Sequence, residues 1–417
     1  MADGSVAQDS PPRSPKPGRS IGSWLPFVLI PGAVWLAWQI VVAPVAQRAG
    51  PELALRVAPT SPAVLSRAAE LEFQAGRDAN ARDLASDALS RAPFNLRALR
   101  VLGLITDRDG QAAQADEILT LAGNWSLRDT PTHGWLVNQR LRAGDYGSSF
   151  AHLDTLIRRR VGGRETFDLL AVAAREDPRA IGHLRDHLAT NPPWTRDFIQ
   201  YLQLKDGTES LTATLVAGLE PTPGRLTDVQ LSEVYGRWVR SGRIGAVKVL
   251  RQAISRPAPS IAVTNGDFSS DAAVLPFDMR ILTGPGIAVE RVDDDQRTGN
   301  RALRIAYDGF GSGVATEQLL LLSPGSYRLE TAFRIEAGSP DTRLSWQIRC
   351  LERPEPILEQ RLITTEGQGT NRWKAVQTDL VIPADCSAQW LRLTTRPGDR
   401  RAPVAVWVDD VAVVTRD

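Results

Sequence analysis

The sequence predicts a multidomain chain: an α-helical solenoid followed by an all-β jelly-roll sandwich, with one N-terminal transmembrane helix. Three observations predict it. The stretch Trp24–Ala46 carries no charge, glycines and alanines recur every 34 positions between residues 59 and 144, and at Pro257 helical periodicity gives way to short alternating segments.

The N-terminus sets the expected compartment. Residues 1–20 hold Pro11, Pro12, Pro15 and Pro17 among serines and charges, a composition unable to bury enough apolar area to order itself, so a disordered cytoplasmic tail is expected. Between Arg19 and Arg48 no side chain is charged. As a helix, residues 24–46 would rise roughly 34 Å, enough to cross the hydrocarbon core. Arg13, Lys16 and Arg19 precede the span, which favours a cytoplasmic N-terminus and an exported remainder. A cleaved signal peptide would need a shorter apolar run ending in a small-x-small site. The exit Pro44-Val45-Ala46-Gln47-Arg48 lacks one. The expectation is a single-pass protein of the bacterial inner membrane with its later domains in the periplasm.

The recurrence defines the next domain, expected over 51–257. Gly76, Gly110 and Gly144 stand 34 residues apart, as do Pro59 and Pro93, Leu65 and Leu99, Ala81 and Ala115, and Ala88 and Ala122. Each glycine falls between two amphipathic stretches, where a left-handed turn is expected. Small residues at fixed phase let paired helices approach closely. On these positions the chain resembles the tetratricopeptide repeat (TPR) family. The first unit matches at Leu65, Ala68, Ala69, Gly76, Ala81, Ala85, Ala88 and Pro93, and the second at Leu99, Leu102, Gly103, Gly110, Ala115, Leu119 and Ala122. A weaker third copy runs through Leu136, Val137, Gly144, Leu153 and Leu156, with His133 and Ser149 at usually apolar or alanine positions. Later segments keep the helical rhythm, with Asp177-Pro178 as a helix start and Gly242 between two further helices. The expected whole is a right-handed array of roughly ten to twelve helices, whose concave face commonly takes a protein partner.

From 258 to 417, strands are expected at Arg301–Tyr307, Gly325–Ile335, Leu344–Cys350, Trp373–Ile382, Trp390–Thr395 and Val404–Val414. Leu344, Trp346, Ile348 and Cys350 share one face by parity. The domain resembles jelly-roll carbohydrate-binding modules on Asn265-Gly266-Asp267-Phe268, Leu275-Pro276-Phe277-Asp278, Gly299-Asn300-Arg301-Ala302-Leu303, Ser323-Pro324-Gly325-Ser326-Tyr327, Trp373 and Trp407-Val408-Asp409-Asp410-Val411. That resemblance implies a structural calcium held by Asp267 and Asp410, with Ser269 and Ser270 standing where an acidic ligand is common. Oxygen donors of this kind suit calcium. It also implies aromatic platforms for sugar: Trp390, Trp407, Tyr307 and Phe310, with Trp346 a further option and Trp373 a core position. The two cysteines, Cys350 and Cys386, fit an exported domain as a disulfide; two unpaired buried thiols are the alternative.

Other chemistries find little support. Lys and Arg total 49 against 48 for Asp and Glu, too even a balance for displacing counterions from nucleic acid. His183 and His187 flank Asp186 at helical spacing, a faint echo of a zinc-peptidase pattern without a third ligand. Gly309–Gly313 reads as a strand connection and Asp293-Asp294-Asp295 as a solvated hairpin tip. No catalytic residues and no cofactor beyond calcium are expected. The chain is therefore expected to be a non-enzymatic membrane-anchored scaffold in cell-envelope or exopolysaccharide assembly, binding envelope proteins through its repeats. The alternative is a surface glycan-binding receptor in which the repeats form a stalk.

Overall fold

The structure is a computed structural model that describes residue 31, residues 51–254, and within 262–416 all but 272–273, 298–300, 339–342 and 364–370. The expected tail 1–20, the expected membrane span 24–46 and the Gly299-Asn300 part of one motif lie outside the described residues. Among the described residues no helix is long and apolar enough to cross a membrane. The chain forms two compact units, divided between Gln139 and Arg140.

The first unit is helical: α1 (Pro51–Val57), α2 (Pro62–Gln74), α3 (Asp78–Arg91), α4 (Leu96–Arg108), α5 (Ala112–Trp125) and the start of α6 (Thr130–Arg142). The turn glycines behave as their spacing predicts, with φ of 74° at Gly76 and 83° at Gly110, a conformation costly for any residue with a Cβ. Alanines 81, 85, 88 and 98 are fully buried with Leu65, Val101 and Ile105. Gly103 shows why small residues keep this phase: a Cβ there would lie 2.6 Å from Leu119 Cγ. Arg100 is buried between Glu70 and Asp129, donating to both carboxylates, so its charge is compensated where water is scarce.

The second unit opens with α7 (Tyr146–Arg158), α8 (Gly163–Glu176), α9 (Pro178–Ala189), α10 (Thr195–Leu204), α11 (Glu209–Leu219), α12 (Asp228–Arg240) and α13 (Ile244–Ile254). With the first unit this makes thirteen helices among the described residues, against the ten to twelve expected. Asp177 caps α9 by accepting from the Arg179 N–H, with Pro178 in the first turn. Thr227 and Gln230 form a reciprocal capping box on α12.

The rest of this unit is a β-sandwich of two five-stranded antiparallel sheets, ordered β1-β4-β9-β6-β7 and β2-β3-β10-β5-β8. The strands are β1 (Arg280–Ile281), β2 (Ile287–Asp293), β3 (Arg301–Tyr307), β4 (Gly313–Leu320), β5 (Gly325–Ala337), β6 (Arg343–Cys350), β7 (Pro356–Arg361), β8 (Lys374–Ile382), β9 (Gln389–Arg396) and β10 (Val404–Thr415). Between the sheets lie Leu303, Ile305, Phe333, Leu344, Trp346, Ile348, Leu391, Leu393, Val406 and Val408. The opening motif closes onto the last strand: Val411 N–H donates to Gly266 O at 3.0 Å. A Cβ on Gly266 would stand 1.9 Å from Val411 O. Cys350 and Cys386 are joined by a disulfide, with Cα atoms 5.4 Å apart.

The sandwich is held to α12 and α13 within the same unit. Tyr235 meets the Phe277 ring edge-on at 4.8 Å, the Arg251 guanidinium lies 4.7 Å from that ring, and Leu275 N–H donates to Ser232 Oγ at 2.8 Å.

Candidate functional site

The two sheets present very different outer faces. On β1-β4-β9-β6-β7, strand parity sends Leu344, Trp346, Ile348, Leu391 and Leu393 inward, so the intervening residues point away from the core. Register aligns Arg280, Glu317, Arg392, Gln347 and Glu359 in one row across all five strands. Arg392 Nε donates to Glu317 Oε2 at 3.0 Å and Arg280 Nη1 to Glu317 Oε1 at 3.5 Å. Gln347, between Arg392 and Glu359 in the row, is only 2% exposed. Its Nε2 has no partner among the described residues, an uncompensated donor of the kind that costs free energy unless something accepts from it.

The rows on either side complete the face. Trp390 pairs with Leu319 on β4 and Arg349 on β6. Its ring is half-buried, with the Arg392 guanidinium 5.0 Å from its centroid. On the other side Thr394, Ser345 and Arg361 align, and Ser345 Oγ donates to Glu359 Oε1 at 3.2 Å. Beyond them Arg343 faces Arg396. At the Trp390 end, a groove of about 500 Å³ runs between this sheet and α12, walled by Trp390, Glu317, Arg280, Pro276, Glu233 and Arg240 among others. A flat indole beside amide, carboxylate and guanidinium groups suits a ring that is apolar on its C–H face and polar at its rim.

The outer face of β2-β3-β10-β5-β8 is closed by its own side chains. Trp407 is 9% exposed, with the Arg334 guanidinium 4.2 Å from its ring centroid, and its Nε1 donates to Glu336 Oε2 at 2.9 Å. Arg304 donates from Nε to the same oxygen at 2.9 Å and from Nη2 to Oε1 at 3.1 Å. The Arg304 guanidinium first, then the Trp407 indole, hold the Glu336 carboxyl down to about 2. Trp373 lies under Arg297 at 4.2 Å and donates to Asp294 Oδ2 at 2.9 Å.

No protein-family model matches the sequence, and no curated protein matches it. The sandwich is similar to carbohydrate-binding modules. One is TmCBM61 in complex with β-1,4-galactotriose, at 17% identity and a TM-score of 0.28, covering 39% of this chain and 100% of that one. A structure titled for CBM4 covers 37% of this chain and 99% of its own at 17% identity and a TM-score of 0.28. The CBM22-1 xylan-binding domain from Paenibacillus barcinonensis Xyn10C covers 32% and 84% at 13% identity and a TM-score of 0.23. Scores of this size carry no functional argument, which must come from the side chains.

The structure separates the aromatics that the sequence grouped together. Trp390 lines the groove. Phe310 is 74% exposed on the turn before β4, whose first residue pairs with Thr395, so it belongs to the opposite end of the sheet from Trp390. Tyr307 is a correction: it shares parity with Leu303 and Ile305, is 1% exposed, and donates its hydroxyl to Gly311 O, so it packs in the core. Trp346 is buried there too. Trp407 is a second correction, since it is 9% exposed and tied to Glu336, whereas Trp390, with the Arg392 guanidinium 5.0 Å from its ring, stays half-buried. Trp373 lies on the outer face rather than in the core. Asp294, expected at a solvated tip, is buried against Trp373 and Arg334, because those distant residues converge on it.

Of the two residues linked to calcium, Asp410 accepts from Arg297 at 2.9 Å and Asp267 Oδ1 caps the Ser269 N–H at 3.4 Å. Among the described residues no three acidic, histidine or cysteine side chains group as a metal site. His187 instead stacks on Trp194 at 5.8 Å. Alternation with Trp346 and Ile348 puts Gln347 and Arg349 together on the opposite face, but they are not among the binding residues expected from the sequence, because only the sheet register sets them beside Trp390.

Proposed function

We propose that the sandwich binds a polysaccharide along the outer face of the β1-β4-β9-β6-β7 sheet, with Trp390 as the stacking platform. The observation that carries this is the Trp390 ring set in a groove beside a row of fixed polar groups, among them the Gln347 amide that lacks an acceptor. The face offers donors and acceptors held by register rather than by flexible loops, so they need little reordering on binding. In this reading the helices preceding the sandwich form its stalk. The uncharged stretch 24–46 is the anchor, and the disulfide supports an oxidising compartment.

The test is affinity electrophoresis of the purified protein through gels carrying neutral and acidic polysaccharides. Retardation by at least one glycan is expected, and Trp390→Ala should weaken it about tenfold or more, equivalent to roughly 1.4 kcal/mol. Trp125→Ala removes an exposed indole from the helical unit and should leave retardation unchanged. Unretarded migration through every gel, or equal retardation of Trp390→Ala, would overturn the proposal.

A further inference from the structure

The two outer faces differ most in how they treat arginine. On the β2-β3-β10-β5-β8 side the guanidinium groups each reach a carboxylate: Arg304 to Glu336, Arg334 to Asp295 and Arg297 to Asp409 and Asp410, although Arg334 Nε itself has no partner among the described residues. On the β1-β4-β9-β6-β7 side, Arg280 and Arg392 share Glu317. Arg343, Arg349, Arg361 and Arg396 have no carboxylate partner among the described residues.

Two details make this more than a basic surface. Arg343 and Arg396 sit directly opposite one another across β6 and β9, an arrangement of like charges that weakens a sheet unless an anion lies between them. Arg349 is the cross-strand neighbour of Trp390, and its Nε is buried with no acceptor among the described residues. A buried guanidinium nitrogen without an acceptor is costly, and its planar fork matches carboxylate and sulfate oxygens better than hydroxyls. Six arginines and two glutamates stand on this face by register, an excess of four positive charges in a chain whose net charge is +1.

We infer that the polysaccharide taken by this face is acidic, its carboxylate or sulfate groups held by Arg349 beside Trp390 and by the facing pair Arg343 and Arg396. The inference rests on the proposed glycan site and names its ligand class. Arg349 and Arg343 lie six residues apart on β6, roughly 20 Å, so several sugar units of one chain would engage both. An indole platform favours a sugar over an acidic peptide, whose backbone offers no comparable flat apolar ring.

The probes are polygalacturonate, alginate and dextran sulfate, with carboxyl-reduced polygalacturonate and dextran as neutral counterparts and polyglutamate as a non-sugar polyanion. At least one acidic glycan should bind ten times or more tightly than its neutral counterpart. That preference should shrink as NaCl is raised from about 50 to 500 mM, since screening shortens the reach of exposed charges. Arg349→Gln should lower acidic-glycan affinity about tenfold without lowering the melting temperature, since it removes a buried nitrogen that has no acceptor among the described residues. Arg349→Lys should retain more affinity than Arg349→Gln.

Neutral glycans bound as tightly as acidic ones, through Trp390, would overturn the acidic assignment and leave the glycan site standing. Polyglutamate bound as tightly as any sugar, with no effect of Trp390→Ala, would overturn it in favour of an acidic protein partner. No retention by any glycan would overturn both the assignment and the site.

Discussion

Removing the bridge between Cys350 and Cys386 is a perturbation whose size follows from the topology. The bond closes a 36-residue separation that contains β7 and β8. In the chain-entropy treatment such a closure withholds about 4 kcal/mol of freedom from the unfolded chain. For a sandwich of this size that corresponds to a melting temperature lower by about 8–16 °C. The native fold would lose little else, because Cys350 remains paired across β6 and β9 with Gln389. The Gln389 side chain accepts from Leu322 N–H at 2.9 Å and donates to Leu322 O at 3.3 Å. The register that places Trp390 therefore survives reduction at room temperature.

The assay is calorimetric melting of the wild type, oxidised and reduced, beside a Cys350→Ala/Cys386→Ala double variant. The helices up to Gln139 contain no cysteine, so their transition is the internal control. Coincident sandwich transitions in all three samples would refute the reasoning. The same pair tests the compartment: an alkylating reagent added to intact cells before lysis should leave Cys350 and Cys386 unmodified, and two freely reactive thiols there would contradict export.

Three further substitutions test the surroundings of single residues. Gly266→Ala forces a Cβ against Val411 O and should destabilise the sandwich by about 2–4 kcal/mol through displaced backbone and a lost closing hydrogen bond. Gly182→Ala, with open space around it in α9, should stabilise by about 0.5–1 kcal/mol; denaturant melts that rank the two variants the other way would disprove the steric account. The Glu336 carboxyl is held down to about 2 from an ordinary value of 4.5, so the stability it contributes is present above pH 4.5 and is lost as pH falls toward 2. The group is partly solvated, which limits the effect to about 1 kcal/mol after screening. Glu336→Gln should therefore be less stable than wild type at pH 6 and converge with it near pH 2, and a constant gap between the two melting curves would exclude the linkage.

Much of the architecture was legible in residue order because it depends on local repetition. The 34-residue phase of Gly76 and Gly110 marked real left-handed turns, and β3 was bounded correctly from its alternation alone. With only two cysteines in the chain, one intrachain pairing was available. Four strands, β1, β2, β4 and β7, are not among those expected from the sequence; β1 has only two residues, and all four are defined by partners elsewhere in their sheets.

The candidate site divides along the same line. Alternation along β6 settles that Gln347 and Arg349 share a face opposite Trp346 and Ile348, and it would have placed Tyr307 with Leu303 in the core. It says nothing of what lies over that face. Trp390 and Trp407 are both outward by parity and each has a guanidinium near its ring, yet Trp407 is 9% exposed while a groove opens beside Trp390. Those neighbours come from strands and helices far away in the chain, and only folding brings them together. Residue order alone dictates which side chains share a face along each element. Which of them keep charges and donors unmatched depends on the assembled sheets, because that balance is struck between strands and not within one.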